Sequence, residues 1–117
     1  MPICLKRGKM YLETKLLGKQ VTVLVNKPLG FKDSRTDITY PLNYGFIPGF
    51  YSANGSELNA YVLGVSEPIA RYEGIAIAII IHEDDIQNKL VVTKQLKQFT
   101  REKIYEAIHF QEKKFKI

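Results

Sequence analysis

One short stretch of the chain carries residue types that phosphate chemistry uses. Residues 40–64 read YPLNYGFIPGFYSANGSELNAYVLG, so Tyr44 follows an asparagine and precedes a tight turn, a glycine loop and a strand. Where a site of this kind would hold metal ions, the chain has the neutral residues Asn54, Ser56 and Asn59. An amide oxygen can bind Mg²⁺, but it brings no charge to offset the desolvation of the metal. Two interpretations follow: a metal enzyme whose carboxylates are replaced, or a protein whose chemistry does not need them.

An acidic turn supplies the nearest carboxylates. In HEDDIQN, residues 82–88, Asp84 and Asp85 are candidate metal ligands and catalytic groups, although aspartates are equally common in turns that only face solvent. His82 and His109 lack the spacing of metal-ligating histidines, so we interpret both as structural.

The net charge of +5 is distributed unevenly along the chain. Residues 1–20 carry +4, residues 21–88 carry −4, and residues 89–117 carry +5. Basic segments around a mildly acidic middle favour an anionic partner such as phosphate, diphosphate or nucleic acid. A surface charged only for solubility is the alternative interpretation.

Hydrophobic patterning predicts one domain of short strands that ends in a helix. The strands are rich in β-branched and aromatic residues, and we place them at residues 21–28, 58–66, 74–82 and 89–93. Between residues 41 and 49, two prolines and two glycines indicate short extended pieces that alternate with turns. Residues 29–37 are predicted to form a polar turn region.

The C-terminal segment changes to a helical period. Ile104, Ile108 and Phe115 fall on one face of a predicted helix over about 100–115, and Thr100 is a suitable N-cap. Short strands followed by one amphipathic helix predict an all-β fold, a small barrel with a C-terminal helix packed on it. We divide the chain into an N-terminal extension, 1–19, which can be partly helical, and a barrel domain, 20–117.

The remaining composition predicts a cytoplasmic protein. The single Cys4 cannot form an internal disulfide, which fits a reducing compartment. The longest apolar run, residues 75–81, is far shorter than the ~20 residues that a membrane-spanning helix needs. We therefore expect no membrane partner.

The stretch YPLNYGFIPG, followed by the Asn54–Gly55 loop and a VLG strand, resembles the soluble inorganic pyrophosphatases. The likeness runs from about Val21 to the C-terminal helix and is strongest to short, hairpin-deleted bacterial members. It implies an OB-like, five-stranded barrel whose mouth binds diphosphate. It also implies Mg²⁺, which polarises phosphoryl oxygens and activates water.

The resemblance implies a set of phosphate-binding residues. Tyr44 matches the phosphate-contacting tyrosine of the motif, and Lys89 matches a lysine that follows the second acidic loop. Lys32 and Arg35 lie where short members have basic residues after the first strand. Lys113 and Lys114 are the nearest candidates for a tyrosine–lysine pair near the end of the final helix.

The metal ligands that the resemblance implies are mostly replaced. Asn54, Ser56 and Asn59 occupy the aspartate positions of the D-G-D-P-x-D loop, and Asn26 stands for a strand glutamate. Only the second acidic loop keeps carboxylates, and there we place the metal at Asp84 or Asp85. Without those carboxylates, the mouth should attract a phosphate better than a second Mg²⁺.

The sequence is compatible with three functions. The first is a pyrophosphatase-like protein that binds diphosphate or a related phosphate ligand, with Mg²⁺-dependent hydrolysis weakened by the replaced aspartates. The second is a catalytically inactive module that binds a phosphorylated ligand or a protein. The third, ranked last, is an OB-like domain for single-stranded nucleic acid, because no strand carries a dense row of basic and aromatic residues. A homo-oligomer is also open.

Overall fold

The computed structural model describes residues 3–4, 15–51, 55–80, 88–94 and 100–112 of the 117-residue chain. The elements are β1 Ile3–Cys4, β2 Gln20–Lys27, β3 Lys32–Asp33, β4 Ile38–Thr39, β5 Asn43–Tyr51, β6 Glu57–Val62, β7 Arg71–Ile80, β8 Lys89–Thr93 and α1 Arg101–Glu112. Among the described residues, no helix is both long enough and apolar enough to span a membrane.

Five of the strands close into a barrel, which confirms the predicted fold class. Strand β2 pairs antiparallel with β5 on one side and β7 on the other. Strand β5 continues antiparallel to β6, which pairs parallel with β8. The antiparallel pairing of β8 with β7 closes the ring. Each of these strands thus pairs on both sides over part of its length, and the short β1 adds parallel to β7.

Alternation along the strands fills the barrel with aliphatic side chains. Val23, Ala60, Val62 and Val92 are fully buried in one cluster inside the barrel. The same cluster contains Leu16, which lies before β2 in the segment predicted as an extension. Residues on both sides of the 19/20 boundary therefore share a core, and the domain boundary stays a prediction.

Helix α1 covers a second core on the outside of the barrel. Ile104 and Ile108, four residues apart on one helix face, are fully buried in a cluster with Tyr61 and Val91. The helix begins as predicted, because the Lys103 amide donates a hydrogen bond of 3.2 Å to Thr100 Oγ1. The outer face of β6 and β8 is therefore apolar where the helix lies.

Two bulges change which face the side chains occupy. In β7 the ladder slips between Ala76 and Ala78, so Ile77 and Ala78 both lie in the outer cluster. In β2 it slips between Val25 and Lys27, so Lys27 pairs with Tyr44 on the outer face. Without the second bulge, Lys27 would point into the barrel, as Val21 and Val23 do.

The structure corrects three local predictions. Strand β5 spans Asn43–Tyr51, with a register shift between Ile47 and Tyr51, where we predicted short pieces alternating with turns. The predicted polar turn region, 29–37, contains strand β3 and the turn that joins it to β4. Strand β7 begins at Arg71, earlier than the predicted residue 74. Strand β5 pairs with β6 over residues 43–47 and again at Tyr51, and the register shifts across Pro48 and Gly49.

At Gly45 the backbone of β5 lies close to that of β2, and Gly45→Ala should destabilise the barrel. An added Cβ would overlap the Leu24 carbonyl oxygen and lie 2.8 Å from Val25 Cα, atoms that closure holds in place. We expect a loss of about 3 kcal/mol in the free energy of unfolding, measured by urea denaturation.

Gly49→Ala is the control. Its Cβ would meet nothing within 4 Å, but its φ of 85° favours glycine. That backbone cost is about 1–2 kcal/mol, so equal losses in the two variants would contradict the steric explanation.

Candidate functional site

Barrel register brings the strongest sequence candidates onto one outer face. Asn59 on β6 pairs directly with Lys89 at the start of β8. Two residues further along β6, Tyr61 pairs with Tyr44 on β5. Lys89 Nζ lies 5.9 Å from the centroid of the Tyr61 ring. The structure thus brings together Tyr44, Asn59 and Lys89, which lie far apart in the chain.

Tyr44 and Tyr61 form the centre of an aromatic cluster, and we call them the tyrosine pair. Their ring centroids are 4.9 Å apart, and the Tyr40 centroid lies 5.7 Å from that of Tyr44. Phe110 of α1 contacts the rings of Tyr40 and Tyr61 edge-on, at 5.1 and 6.0 Å. Tyr44 is only 5% exposed, so most of its ring surface serves packing.

Lys27 brings a second ammonium group to the tyrosine pair. Its Nζ lies 5.8 Å from the Tyr44 centroid and 5.5 Å from the Tyr40 centroid, within cation–π range. It also lies 3.8 Å from an Asp33 carboxylate oxygen. The side chain keeps 29% of its surface exposed, whereas Lys89 is 2% exposed. The tyrosine pair therefore has one ammonium at each end.

Asp33 organises the basic hairpin beside this face. Its Oδ1 accepts a 2.9 Å hydrogen bond from the Arg35 amide, and the Arg35 guanidinium lies 3.9 Å from the same oxygen. The amide hydrogen bond is the main reason why the pKa of Asp33 is lowered; burial opposes it, and the charges of Lys27 and Arg35 lower it further. The carboxylate is therefore stabilised in its charged form.

The predicted cations of the hairpin are exposed. Lys32 Nζ pairs with Asp37 at 3.3 Å, and this lysine side chain is 67% exposed. The Arg35 side chain is 86% exposed. Exposed ion pairs of this kind contribute little to stability, so both cations can exchange a carboxylate for another anion at low cost.

Asn43 holds the backbone around the tyrosine pair. It is fully buried, and its Oδ1 accepts hydrogen bonds from the amides of Leu29 and Ile69, at 2.9 and 3.1 Å. Its Nδ2 donates one of 2.9 Å to the Glu67 carbonyl. One side chain thus ties the turn after β2 and the loop before β7 to the start of β5.

The described donors do not fit a Mg²⁺ site. Across residues 15–51, 55–80, 88–94 and 100–112, no three His, Cys, Asp or Glu side chains come together as metal ligands. Ser56 and Asn59 lie at and near the start of β6 and offer neutral oxygens. Mg²⁺ is normally held by carboxylates, which offset its charge.

Several predicted site residues lie outside the described residues. These are Asn54, Asp84, Asp85, Lys113 and Lys114. Their proposed roles stay predictions.

Sequence reasoning missed Lys27, Asp33, Tyr40 and Tyr61. The spacing Asp-Ser-Arg is a signal for the Asp33 turn, since aspartates often accept the amide two residues on. The alternation of β2 predicts that Lys27 points into the barrel, and only the bulge moves it to the outer face. Tyr61 is identified as a site residue only by its cross-strand pairing with Tyr44, which the sequence does not show.

No protein-family model and no curated protein sequence matches the chain. Solved structures do match its fold. The inorganic pyrophosphatase of Ehrlichia chaffeensis matches with a TM-score of 0.59 and 17% identity, over 80% of each chain. Those of Coxiella burnetii and Neisseria gonorrhoeae give TM-scores of 0.59 and 0.58 at 19% and 18% identity, over 80% of this chain and 75% and 72% of theirs. At this identity the likeness shows a distant pyrophosphatase-like barrel.

Asn43→Ala should destabilise the protein by about 3 kcal/mol, because it leaves two backbone amides and one carbonyl without their partner. Urea denaturation measures the loss. Asn59→Ala on the neighbouring strand is the control and should change stability by about 0.5 kcal/mol or less, since Asn59 is partly exposed. Equal losses would show that Asn43 does not have this bridging role.

Asp33→Asn should lower stability at neutral pH but not in acid. A lowered folded-state pKa stabilises the fold above the unfolded value near 3.8, and this contribution disappears as pH falls through the folded-state pKa. Urea midpoints of the wild type and the variant should therefore differ at pH 7 and converge only as the pH falls below 3.8 through the lowered folded-state pKa. Asp37→Asn, with a carboxylate 85% exposed, should leave the midpoint nearly unchanged. A difference for Asp33→Asn that persists unchanged into acid would rule out this charge effect.

Proposed function

We propose that the chain binds diphosphate, or a small molecule with a related phosphate group, on the outer barrel face around the tyrosine pair. The supporting observation is the placement of two ammonium groups, with Lys27 Nζ 5.8 Å from the Tyr44 ring and Lys89 Nζ 5.9 Å from the Tyr61 ring. A ligand with two linked phosphates can engage a cation at each end of the pair. The pyrophosphatase-like barrel favours this ligand class.

The hairpin cations complete the proposed site. Lys32 and Arg35 lie on the segment that Asp33 ties to Lys27. Arginine offers a planar fork of donors that matches two phosphate oxygens, and lysine acts as a point charge. In this proposal Lys27 and Lys89 hold the ligand on the barrel, while Lys32 and Arg35 approach it from solvent.

Metal-free binding is the primary activity that we propose, and Mg²⁺ is a weak co-ligand. Asp84 and Asp85 are the proposed metal ligands, and the neutral Asn54, Ser56 and Asn59 stand at the other expected positions. Mg²⁺-dependent hydrolysis of diphosphate is the second candidate, favoured by the fold of the neighbours. When bound, the metal would polarise phosphoryl oxygens.

Calorimetric titration with diphosphate in the presence of a chelator tests the binding proposal. We expect saturable binding by the wild type and a loss of about tenfold or more in Lys89→Met, which keeps the length of the side chain but removes its charge. Lys94→Met is the matched control, since Lys94 Nζ also lies 5.4 Å from a tyrosine ring, that of Tyr72, but Lys94 is exposed at the other end of β8. Wild-type protein that fails to bind, or equal losses in the two variants, would overturn the proposal.

Phosphate release from diphosphate with Mg²⁺ separates binding from turnover. Activity in the wild type that a chelator abolishes would establish hydrolysis as the function. Wild-type silence with activity gained by Asn54→Asp/Asn59→Asp would show an intact phosphate site that lacks only metal ligands. Silence in both, together with binding, would identify a phosphate-binding module.

A further inference from the structure

The β2–β5 ladder stops short of the ends of both strands and leaves a groove. The last cross-strand pair is Leu24 with Phe46. The same register would place Thr22 opposite Pro48 and Gln20 opposite Phe50, but Pro48 has no amide hydrogen to donate and Gly49 has a φ of 85°. The strands separate there around a groove of about 710 Å³, which we call the β2–β5 groove.

The floor and one wall of the groove are apolar. Leu16 and Val21 reach it from the barrel core and are 8% and 7% exposed. Phe50 lines the groove with 41% of its surface exposed, among the largest values for a hydrophobic side chain in the described residues. An exposed ring beside an apolar floor can stack on a flat ligand ring.

The rim of the groove carries net positive charge. Lys15 and Lys19 line it, and neither forms an ion pair within the described part of the chain. The single acid of the lining, Glu73, accepts a 3.0 Å hydrogen bond from the Arg71 guanidinium, which offsets its charge. Lys19 is also fixed in place, because its amide bonds the Leu16 carbonyl and its carbonyl accepts from the Ala76 amide.

We propose that the β2–β5 groove binds a nucleoside phosphate unit, with the base stacked on Phe50 and the phosphate held by Lys15 and Lys19. The volume falls within the range of about 300–1,000 Å³ that is usual for small-molecule sites. The juxtaposition of an exposed ring with two cations is the chemistry that recognises a base joined to a phosphate. The unit can come from a free nucleotide or from a single strand.

This groove is separate from the tyrosine pair. Thr22 and Lys27 lie five residues apart on β2, which corresponds to roughly 16 Å along a strand. The proposal does not depend on diphosphate binding, and residue-resolved measurements can distinguish the two sites.

Amide NMR titration of the full chain with adenosine monophosphate tests the proposal. We expect saturable shifts at Gln20, Thr22 and Phe50, with adenosine and inorganic phosphate each binding at least about tenfold more weakly than the nucleotide. Phe50→Ala should weaken nucleotide binding by about tenfold, and Lys15→Gln/Lys19→Gln should reduce it to the level of adenosine. Circular dichroism verifies that each variant is folded.

Matched variants separate this site from its alternatives. Tyr51→Ala removes a neighbouring ring that is 52% exposed, and Lys103→Gln removes an exposed lysine of α1; neither should change binding at the groove. Lys89→Met should also leave the groove shifts unchanged. A short oligothymidine strand that produces the same shifts with a lower Kd than adenosine monophosphate would identify a single strand as the source of the unit. A higher Kd would identify a free nucleotide. Shifts confined to the surroundings of Tyr44, or equal losses in the control variants, would overturn the proposal.

Discussion

The outer face depends on the three hydrogen bonds of one buried side chain, Asn43. This residue points into the end of the barrel, where its amide joins the turn after β2 to the loop before β7. The turn after β2 leads directly into the hairpin that carries Asp33. Because β5 alternates, a fixed Asn43 directs Tyr44 outward. A polar group buried inside the barrel thus determines where the tyrosines and cations outside can lie.

Cationic side chains outnumber carboxylates among the described residues of that face and its hairpin. Amide and hydroxyl residues stand where the resemblance to pyrophosphatases implies carboxylates, but Lys89 is present, and the bulge in β2 adds Lys27 to the same tyrosines. Asp33 offsets part of this positive charge and lies close to Lys27 and Arg35. Lys27 and Lys89 each lie within cation–π range of a tyrosine ring, and an aromatic face stabilises an ammonium group without adding net charge.

The sequence predicts the positions of the strands and the helix better than it predicts which strands pair with each other. Strand β8 and the N-cap of α1 are found where local pattern places them, because β-branched runs and a capping threonine are local signals. Strand β5 is missed, since proline and glycine argue against a strand that pairing to β6 sustains. The pairing of Asn59 with Lys89 is parallel and distant in the chain, so no local pattern contains it. The position of Lys27 depends on a one-residue bulge, which alternation alone predicts wrongly.

Each of the two bulges reverses the inward and outward alternation for the residues that follow it in the same strand. Before Ile77, strand β7 buries one set of alternate residues in the barrel, and after Ala78 it buries the opposite set. Ala76 and Ile79 lie in the inner cluster and Ile77, Ala78 and Ile80 in the outer one, so this part of β7 contributes to both cores. In β2 the same one-residue step moves a lysine from the side chains of the core to the surface. An insertion or deletion of a single residue in either strand would exchange interior and exterior along everything that follows it in that strand, so the length of these strands is constrained as strongly as their composition.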